Sequence, residues 1–277
     1  MNPRGLGRPA ESGTLRARGR TVGAGLEPAD HDREVECVDV DDLEGYLERW
    51  SRAHGDYDVW SSRSTLAWLR LAHFLAAPLV RRRVPPSWVT SVGGLGAVAI
   101  GAVAALGGRW ALLAAVLVVV VALLDGLDGA VAEMSGAATA WGRILDQLVD
   151  RIGDLSMLAG LWALGAPGPV CAAAAALTLL DESIRASAAA EGMGEKGLVT
   201  IAERPTRLII GGFSFAAAGV VPSVAVAVVT VGAGLWGILA LLATTQLLVN
   251  VRRRLHGLAR NVAREQEDQP APDEQPR

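Results

Sequence analysis

Cysteine and histidine are both scarce in this sequence of 277 residues. The two cysteines, Cys37 and Cys171, lie in a polar and an apolar region and give neither a disulfide nor a zinc-binding pattern. The four histidines are scattered along the chain, which argues against a metal site built from imidazole ligands. The first thirty residues contain five arginines but no apolar run, so they are not expected to be a secretory signal peptide. A formal net charge of −3 gives no reason to expect a nucleic-acid partner.

Apolar residues are abundant and clustered. They make up 51% of the chain, with a mean hydropathy of +0.32, and stand in long blocks that are typical of an integral membrane protein. A helix needs about 20 apolar residues to cross a bilayer. The sequence therefore predicts an all-α fold, a bundle of six transmembrane helices in the lipid bilayer, near residues 88–106, 110–132, 143–165, 168–190, 206–221 and 223–250.

The segments on either side of this bundle differ from it in composition. Residues 1–60 are rich in Gly, Pro, Arg and acids, so we expect a soluble, disordered extension in which DDLEGYLERWSRAH could form one short amphipathic helix. Residues 61–84 predict an amphipathic helix that lies in the membrane interface. Residues 85–255 form the predicted membrane domain, and residues 256–277 a disordered cytoplasmic tail.

Positive charge is distributed unevenly between the two sides of the predicted bundle. On one side, the links at 107–109 and 166–168 and the turn at Pro222 contain a single arginine between them. The other side holds Arg81 to Arg83, Arg185, Lys196, Arg204, Arg207 and Arg252 to Arg254. An excess of Lys and Arg marks the cytoplasmic side, so we expect both termini in the cytoplasm and the protein in the plasma membrane.

Four aspartates follow the apolar run ALLAAVLVVVVAL or lie at the start of the next predicted helix. Asp125 and Asp128 are three residues apart and Asp146 and Asp150 four apart, so each pair lies on one helix face. Carboxylates that converge at a membrane face repel one another unless cations neutralise them, and hard oxygen ligands suit Mg²⁺, Mn²⁺ or Ca²⁺. The alternative is that the second pair only forms ion pairs with its neighbours Arg143 and Arg151.

The stretch DGLDGAVAEMSGAATAWGRILDQLVD resembles the signature of the CDP-alcohol phosphatidyltransferase family, D-x-x-D-G-x-x-A-R, eight residues, then G-x-x-x-D-x-x-x-D. The matching positions are Asp125, Asp128, Gly129, Ala132, Gly142, Asp146 and Asp150. VPPSWVT is similar to the family's P-N-x-x-T entry to the first membrane helix, with Pro86 and Thr90 matching. AERPTRLI resembles the stretch that binds the acceptor's phosphate in bacterial members that use phosphorylated acceptors.

The resemblance implies transfer of a phosphatidyl group from CDP-diacylglycerol to a small polar alcohol, with release of CMP. It implies a site for Mg²⁺ or Mn²⁺, with two metal ions, at Asp125, Asp128, Asp146 and Asp150, where Asp150 also takes the proton of the attacking hydroxyl. The donor-binding residues that it implies are Thr90, Asp125, Gly129, Ala132, Gly142 and Asp146. Arg185, Arg204 and Arg207 match the arginines that bind the phosphate of glycerol 3-phosphate or inositol phosphate.

The sequence departs from the family pattern at three positions, one of which is Ser87, where the P-N-x-x-T entry has asparagine. Glu133 stands where the signature has arginine, and Arg143 or Arg151 could supply the missing positive charge. Ser187 replaces a basic residue of the acceptor site, which leaves open an unphosphorylated alcohol. Three further acids have two interpretations each. Asp154 either extends the metal site or makes a polar contact, with Arg151 or near Asp181. Asp181 and Glu182 either contact the acceptor's hydroxyls or pair with Arg185.

Two other functions compete with an active transferase. A non-catalytic membrane protein of the same fold, retaining metal or CDP-lipid binding, is favoured by Glu133 and Ser187, whereas the four aspartates favour the enzyme. A proton-coupled transporter is disfavoured because the acids lie at one face and there is no inverted repeat with broken helices. The glycine-rich first span could pack closely against another helix, and the family resemblance adds the expectation of a homodimer.

Overall fold

The computed structural model describes the backbone of residues 42–53, 57–193 and 200–267, and their side chains except at 53 and 256–267. Within these ranges the chain is helical and forms no strand, which confirms the all-α class. The α-helices are α1 (Leu43–Ala53), α2 (Arg63–Arg81), α3 (Pro86–Ala104), α4 (Trp110–Ser135), α5 (Ala140–Ala163), α6 (Gly168–Ala190), α7 (Arg204–Val220) and α8 (Ala225–Glu267). The predicted extension up to residue 41, Lys196 and the tail beyond 267 lie outside the described residues.

Short links with specific caps reverse the chain between consecutive helices. α4 ends at Gly136, whose φ of 62° lies in the left-handed region that glycine adopts without strain. Three residues later, the side chain of Thr139 accepts a hydrogen bond from the backbone N–H of Gly142 at 2.9 Å and caps α5. The end of α4 and the start of α5 are therefore neighbours, which is necessary if the two predicted aspartate pairs are to converge.

Three of the described helical segments are long and apolar enough to cross a membrane. They are α3, α4 and the stretch Pro222–Leu255, which contains most of α8. α5 and α6 each carry three or more charged residues in their sequence, and α7 has 17 residues with two arginines in its first turn. For these three helices the crossing of the bilayer stays a prediction.

The core lies between α3, α4, α5, α7 and α8, where side chains such as Trp236, Phe215 and Leu161 are fully buried. In water, full burial of a large apolar side chain contributes about 1.5–3 kcal/mol to the stability of the fold. In lipid, van der Waals packing between the helices replaces part of this driving force. The indole N–H of Trp236 donates to the hydroxyl of Thr178 at 3.1 Å, which ties α8 to α6. Many apolar side chains point outward instead, among them Leu95 and Phe213.

The glycines of α3 face other helices of the same chain. A Cβ at Gly94 would meet Val149 of α5, one at Gly96 would meet Val121 of α4, and one at Gly101 would overlap the backbone of Ser156 in α5. These close approaches explain why α3 packs mainly on α4 and α5. The close packing expected of this glycine-rich helix is thus found within the chain, and the homodimer stays a prediction.

Two boundaries differ from the sequence prediction. The short amphipathic helix that DDLEGYLERWSRAH allowed is present at Leu43–Ala53, but it packs on the bundle instead of lying in a disordered extension, because Tyr46 and Leu47 are buried among Leu69, Val131 and other apolar residues of α2 and α4. At the other end, α8 continues to Glu267, well into the predicted disordered tail. The interfacial position of α2, which exposes Leu71 and Phe74, is still a prediction.

Candidate functional site

The charged residues of the bundle collect at one end, which we call the site end and define by the start of α3 at Pro86 and the end of α4 at Ser135. Consecutive helices run in alternating directions, so the first turns of α3, α5 and α7 lie beside the last turns of α4 and α6. This alternation brings together residues from five helices that are far apart in the sequence.

Three of the four signature aspartates converge at the site end. Asp125, Asp146 and Asp150 each offer a carboxylate oxygen, and these oxygens all lie within 4.8 Å of one another. The three side chains are only partly buried, so a ligand can reach them from solvent. Three hard oxygen donors at this separation fit a divalent cation such as Mg²⁺ or Mn²⁺.

Arg204 lies against the same aspartates. Its guanidinium forms an ion pair with Asp125, and its Nη1 is 2.6 Å from Oδ1 of Asp150. The sequence predicted Arg204 as an acceptor-phosphate ligand, so the structure brings the predicted acceptor and metal residues into direct contact. One guanidinium against three carboxylates leaves a formal charge of −2, which still favours a cation.

Asp128 lies apart from the converging oxygens. It is 7% exposed, and the hydroxyl of Thr90 in α3 lies 2.5 Å from its Oδ2. Thr90 and Asp128, both predicted from the signature, thus form a hydrogen-bonded pair between α3 and α4. Gly129 and Ala132 lie on the next turns of α4, and a Cβ at Gly129 would meet no described atom within 4 Å, so this side of the helix is open to a ligand.

A second cluster, which we call the Glu182 cluster, joins α5, α6 and α7. Glu182 accepts from Arg151 of α5 at 2.9 Å and from Arg207 of α7 at 3.1 Å. Arg207 also lies 3.3 Å from Oδ2 of Asp154, and both side chains are almost fully buried. The expected pairing of Asp154 with Arg151 is therefore wrong, because Arg151 contacts Glu182 and Arg207 provides the charge beside Asp154.

Arg185 lies at the edge of the Glu182 cluster. Its Nη2 is 3.0 Å from Asp181 and 3.4 Å from Glu203, so the predicted pairing of Asp181 with Arg185 is confirmed. Nε of Arg185 lies 3.8 Å from Glu182, which confirms the pairing of Glu182 with Arg185. Ser187, one turn from Ser183 on α6, lines a cavity of ≈ 290 Å³ between the ends of α6 and α8.

Among the described ion pairs, Asp146 and Asp150 are not joined to Arg143 or Arg151, so the local-pairing alternative fails. Glu133 does not contact these arginines either: its Oε1 lies 3.9 Å from Nε of Arg49 in α1. Arg49 was not predicted as the partner of Glu133. The signal that was available is the amphipathic pattern of α1, where Leu43, Tyr46, Leu47 and Trp50 share one face.

Comparisons with a family model and with individual proteins point to the same family. Residues 83–192 match the CDP-alcohol phosphatidyltransferase family. A phosphatidylinositol phosphate synthase from Mycolicibacterium smegmatis is 36% identical over 151 residues, which cover 52% of this chain and 67% of the relative. One from Cutibacterium acnes is 32% identical over 149 residues, covering 52% and 71%.

Solved structures give the same result. The structure of phosphatidylinositol phosphate synthase from Mycobacterium tuberculosis with CDP-DAG bound matches with a TM-score of 0.56 and 27% identity, covering 66% of this chain and 94% of that one. A second structure of that enzyme, in complex with manganese and citrate, matches with a TM-score of 0.55 and 27% identity, covering 64% and 87%.

Proposed function

The chain belongs to the CDP-alcohol phosphatidyltransferase family and is a phosphatidyltransferase, and we propose that it transfers the phosphatidyl group of CDP-diacylglycerol to an inositol phosphate with release of CMP. The observation that carries the proposal is the convergence of Asp125, Asp146 and Asp150 beside Arg204 at one end of the bundle. An inositol phosphate is favoured over glycerol 3-phosphate because the relatives are phosphatidylinositol phosphate synthases.

The proposed donor site lies on α4 and the start of α5. Asp125, Asp146 and Asp150, with Asp128 as the fourth acid of the signature, would hold two Mg²⁺ or Mn²⁺ ions, which when bound would supply positive charge to neutralise the donor's diphosphate. Asp128 and Thr90 brace α3 against α4 behind them. The open side of Gly129 allows the donor to approach the backbone closely, and Ala132 and Gly142 extend the same small-residue surface.

Asp150 is the proposed general base. Its side chain is 18% exposed and lies beside Asp125 and Asp146, so it can accept the proton of an acceptor hydroxyl that approaches from solvent. The oxygen that loses this proton attacks the phosphorus atom that carries the diacylglycerol group. The bond from that phosphorus to the bridging oxygen of the diphosphate then breaks, and the electrons leave with CMP.

Three arginines are proposed to bind the acceptor's phosphate. Arg185 and Arg204, with side-chain exposures of 24% and 15%, are better placed to meet it than Arg207, at 7%. A guanidinium fork matches the geometry of phosphate oxygens. We place the site at the cytoplasmic end of a plasma-membrane protein, where CMP is released into water while both lipids remain in the bilayer.

The test uses the purified protein with CDP-diacylglycerol, Mn²⁺ and a panel of labelled acceptors: an inositol phosphate, glycerol 3-phosphate and free inositol. We expect CMP release and formation of phosphatidylinositol phosphate, identified by mass spectrometry of the lipid product. Product from glycerol 3-phosphate or from free inositol alone would overturn the proposed acceptor but not the chemistry. Absence of CMP with every acceptor would overturn the proposal as a whole.

A further inference from the structure

Two features of this chain have no counterpart in the family pattern. Glu133 replaces the arginine of the signature, and α1 precedes the residues 83–192 that match the family. In the structure these two features contact each other, because Nε of Arg49 in α1 lies 3.9 Å from Oε1 of Glu133 in α4. Glu133, whose charge is opposite to that of the family's arginine, thus has its ion-pair partner in α1, a helix outside the residues that match the family.

The ion pair lies at the edge of an apolar contact. Tyr46 and Leu47 of α1 are 1% and 2% exposed, and they pack with residues of α2 and α4. The ring of Tyr46 lies 5.6 Å from that of His73 in α2, with the planes tilted by 42°. α1 therefore contacts both the last turns of α4 and the middle of α2.

α2 carries this contact to the donor site. The indole of Trp68 lies so close to Gly126 that a Cβ at that position would overlap it. Gly126 stands next to Asp125 and two residues before Asp128, so any shift of Trp68 changes the space that the aspartate-bearing turn of α4 occupies. α2 therefore packs against α1 through residues such as Leu69 and against the turn that carries the signature aspartates through Trp68.

We propose that α1 is a positioning element of the donor site, that Arg49 and Glu133 are its positioning residues, and that Glu133 acts by holding α1 rather than by binding the donor. The ion pair fixes α1 on α4, and α1 in turn fixes α2 and the indole of Trp68 against Gly126. Since its effect is on donor binding, the inference rests on the proposed function.

The test exchanges the two charges. Arg49→Glu and Glu133→Arg are compared with the double variant that carries both changes and with Arg52→Glu. The last variant reverses a charge on the same helix, at an arginine whose described hydrogen bond goes to the backbone carbonyl of Glu48 in α1. Hydrogen–deuterium exchange of residues 43–53 reports whether α1 is docked, and the KM values for CDP-diacylglycerol and for the acceptor report the two substrate sites.

Each single reversal places two like charges side by side, so we expect faster exchange of α1 and a rise of the donor KM by about twofold to tenfold, with the acceptor KM unchanged. The double variant restores the ion pair in the opposite sense and should regain both properties, while Arg52→Glu matches the wild type. If Glu133→Arg raises activity with exchange unchanged, or if the double variant is no better than the singles, the inference is wrong. The exchange measurement does not depend on turnover, so an inactive wild type would refute only the proposed function.

Discussion

Asp150 has neighbours of both charges, which act in opposite directions on its carboxylate. The guanidinium of Arg204 stabilises the ionised form, whereas Asp125 and Asp146 repel it. A residue in such a setting can bind a cation and can also accept a proton when the local charge changes. A single substitution at this position is therefore expected to separate donor binding from turnover.

Replacement of Asp150 by Asn keeps the size of the side chain and one oxygen ligand but removes the base. We expect CDP-diacylglycerol to bind with little change while turnover falls by about 10²- to 10⁴-fold. Binding is measured by isothermal titration and turnover by release of CMP, with the exposed Glu44→Gln as the control. Turnover within threefold of the wild type would assign the base to another residue.

Tyr46 offers a pH probe of the contact between α1 and α4. Burial and the nearby carboxylate of Glu133 raise the pKa of Tyr46 from 10.0 to about 12. Because the folded-state pKa is higher than the unfolded one, the stabilisation is fully present below pH 10 and is lost as the pH rises towards 12.

The measurement uses a Tyr57→Phe variant, which leaves Tyr46 as the one tyrosine of the chain. We expect its tyrosinate absorbance to appear only near pH 12, and hydrogen exchange of α1 to accelerate over the same range. Glu133→Gln should move the transition to lower pH. Titration of Tyr46 near pH 10 would mean that α1 is not packed on α4 in solution.

Residue patterns within one or two turns of helix were predictable, and contacts between distant segments were not. The spacings of Asp125 to Asp128 and of Asp146 to Asp150 predicted shared helix faces, and a short link between the helices brought three of these residues together. The partners of Glu133 and Asp154 could not be predicted, because Arg49 and Arg207 lie far away in the sequence and only the packing of α1 and α7 brings them near.

At the scale of helices, Glu182 connects three of them. It belongs to α6, and its carboxylate contacts Arg151 of α5 and Arg207 of α7. A buried ion pair is weak evidence for stability, but loss of one partner leaves an uncompensated charge. The two arginines of the first turn of α7 should therefore respond differently to replacement.

Arg207→Ala leaves Asp154 and Glu182 without their partner inside the bundle, so we expect a loss of about 3–5 kcal/mol of stability. Arg204→Ala removes a more exposed contact and should mainly raise the acceptor KM, by about 10- to 150-fold for a lost charge-assisted phosphate contact. Thermal unfolding in detergent and steady-state kinetics separate these outcomes. Equal losses of stability in both variants would show that Arg204 is also a structural residue.

The helix boundaries show where composition is informative. The apolar runs predicted α3 to α7 to within about four residues at each end, because a run of lipid-facing residues ends where charged or turn residues begin. α8 extends beyond the predicted span 223–250, through Arg252 to Arg254 and on to Glu267. Arginine has a high helix propensity, so a change from apolar to charged residues marks a change of surroundings and not the end of a helix.

Across the whole molecule, the site end and the opposite end differ in charge. The described links at the opposite end are 105–109, 164–167 and 221–224. Arg109 is the one charged residue in these links. The site end carries the aspartates, the Glu182 cluster and the arginines that follow α2. This asymmetry underlies the proposal that the site faces the cytoplasm.

The orientation is tested with single cysteines in a variant without Cys37 and Cys171. Arg109→Cys and Ser223→Cys should react with an impermeant maleimide added to intact cells, and Ala138→Cys only after the membrane is opened. These positions are exposed, and they avoid Gly108 and Gly136, whose positive φ a cysteine would adopt only with strain. Reaction of Ala138→Cys in intact cells would place the site outside the cell.

The position of Arg204 on α7 has a consequence for how the nascent chain is built. Asp125, Asp146 and Asp150 all belong to α4 and α5, whereas the arginine that pairs with two of them belongs to a helix that is synthesised much later. During synthesis the α4–α5 hairpin therefore presents three carboxylates to one another before their guanidinium partner exists. Until α7 is made, bound protons or cations have to balance these charges, so the α4–α5 hairpin alone is expected to be less stable than the same hairpin packed against α7.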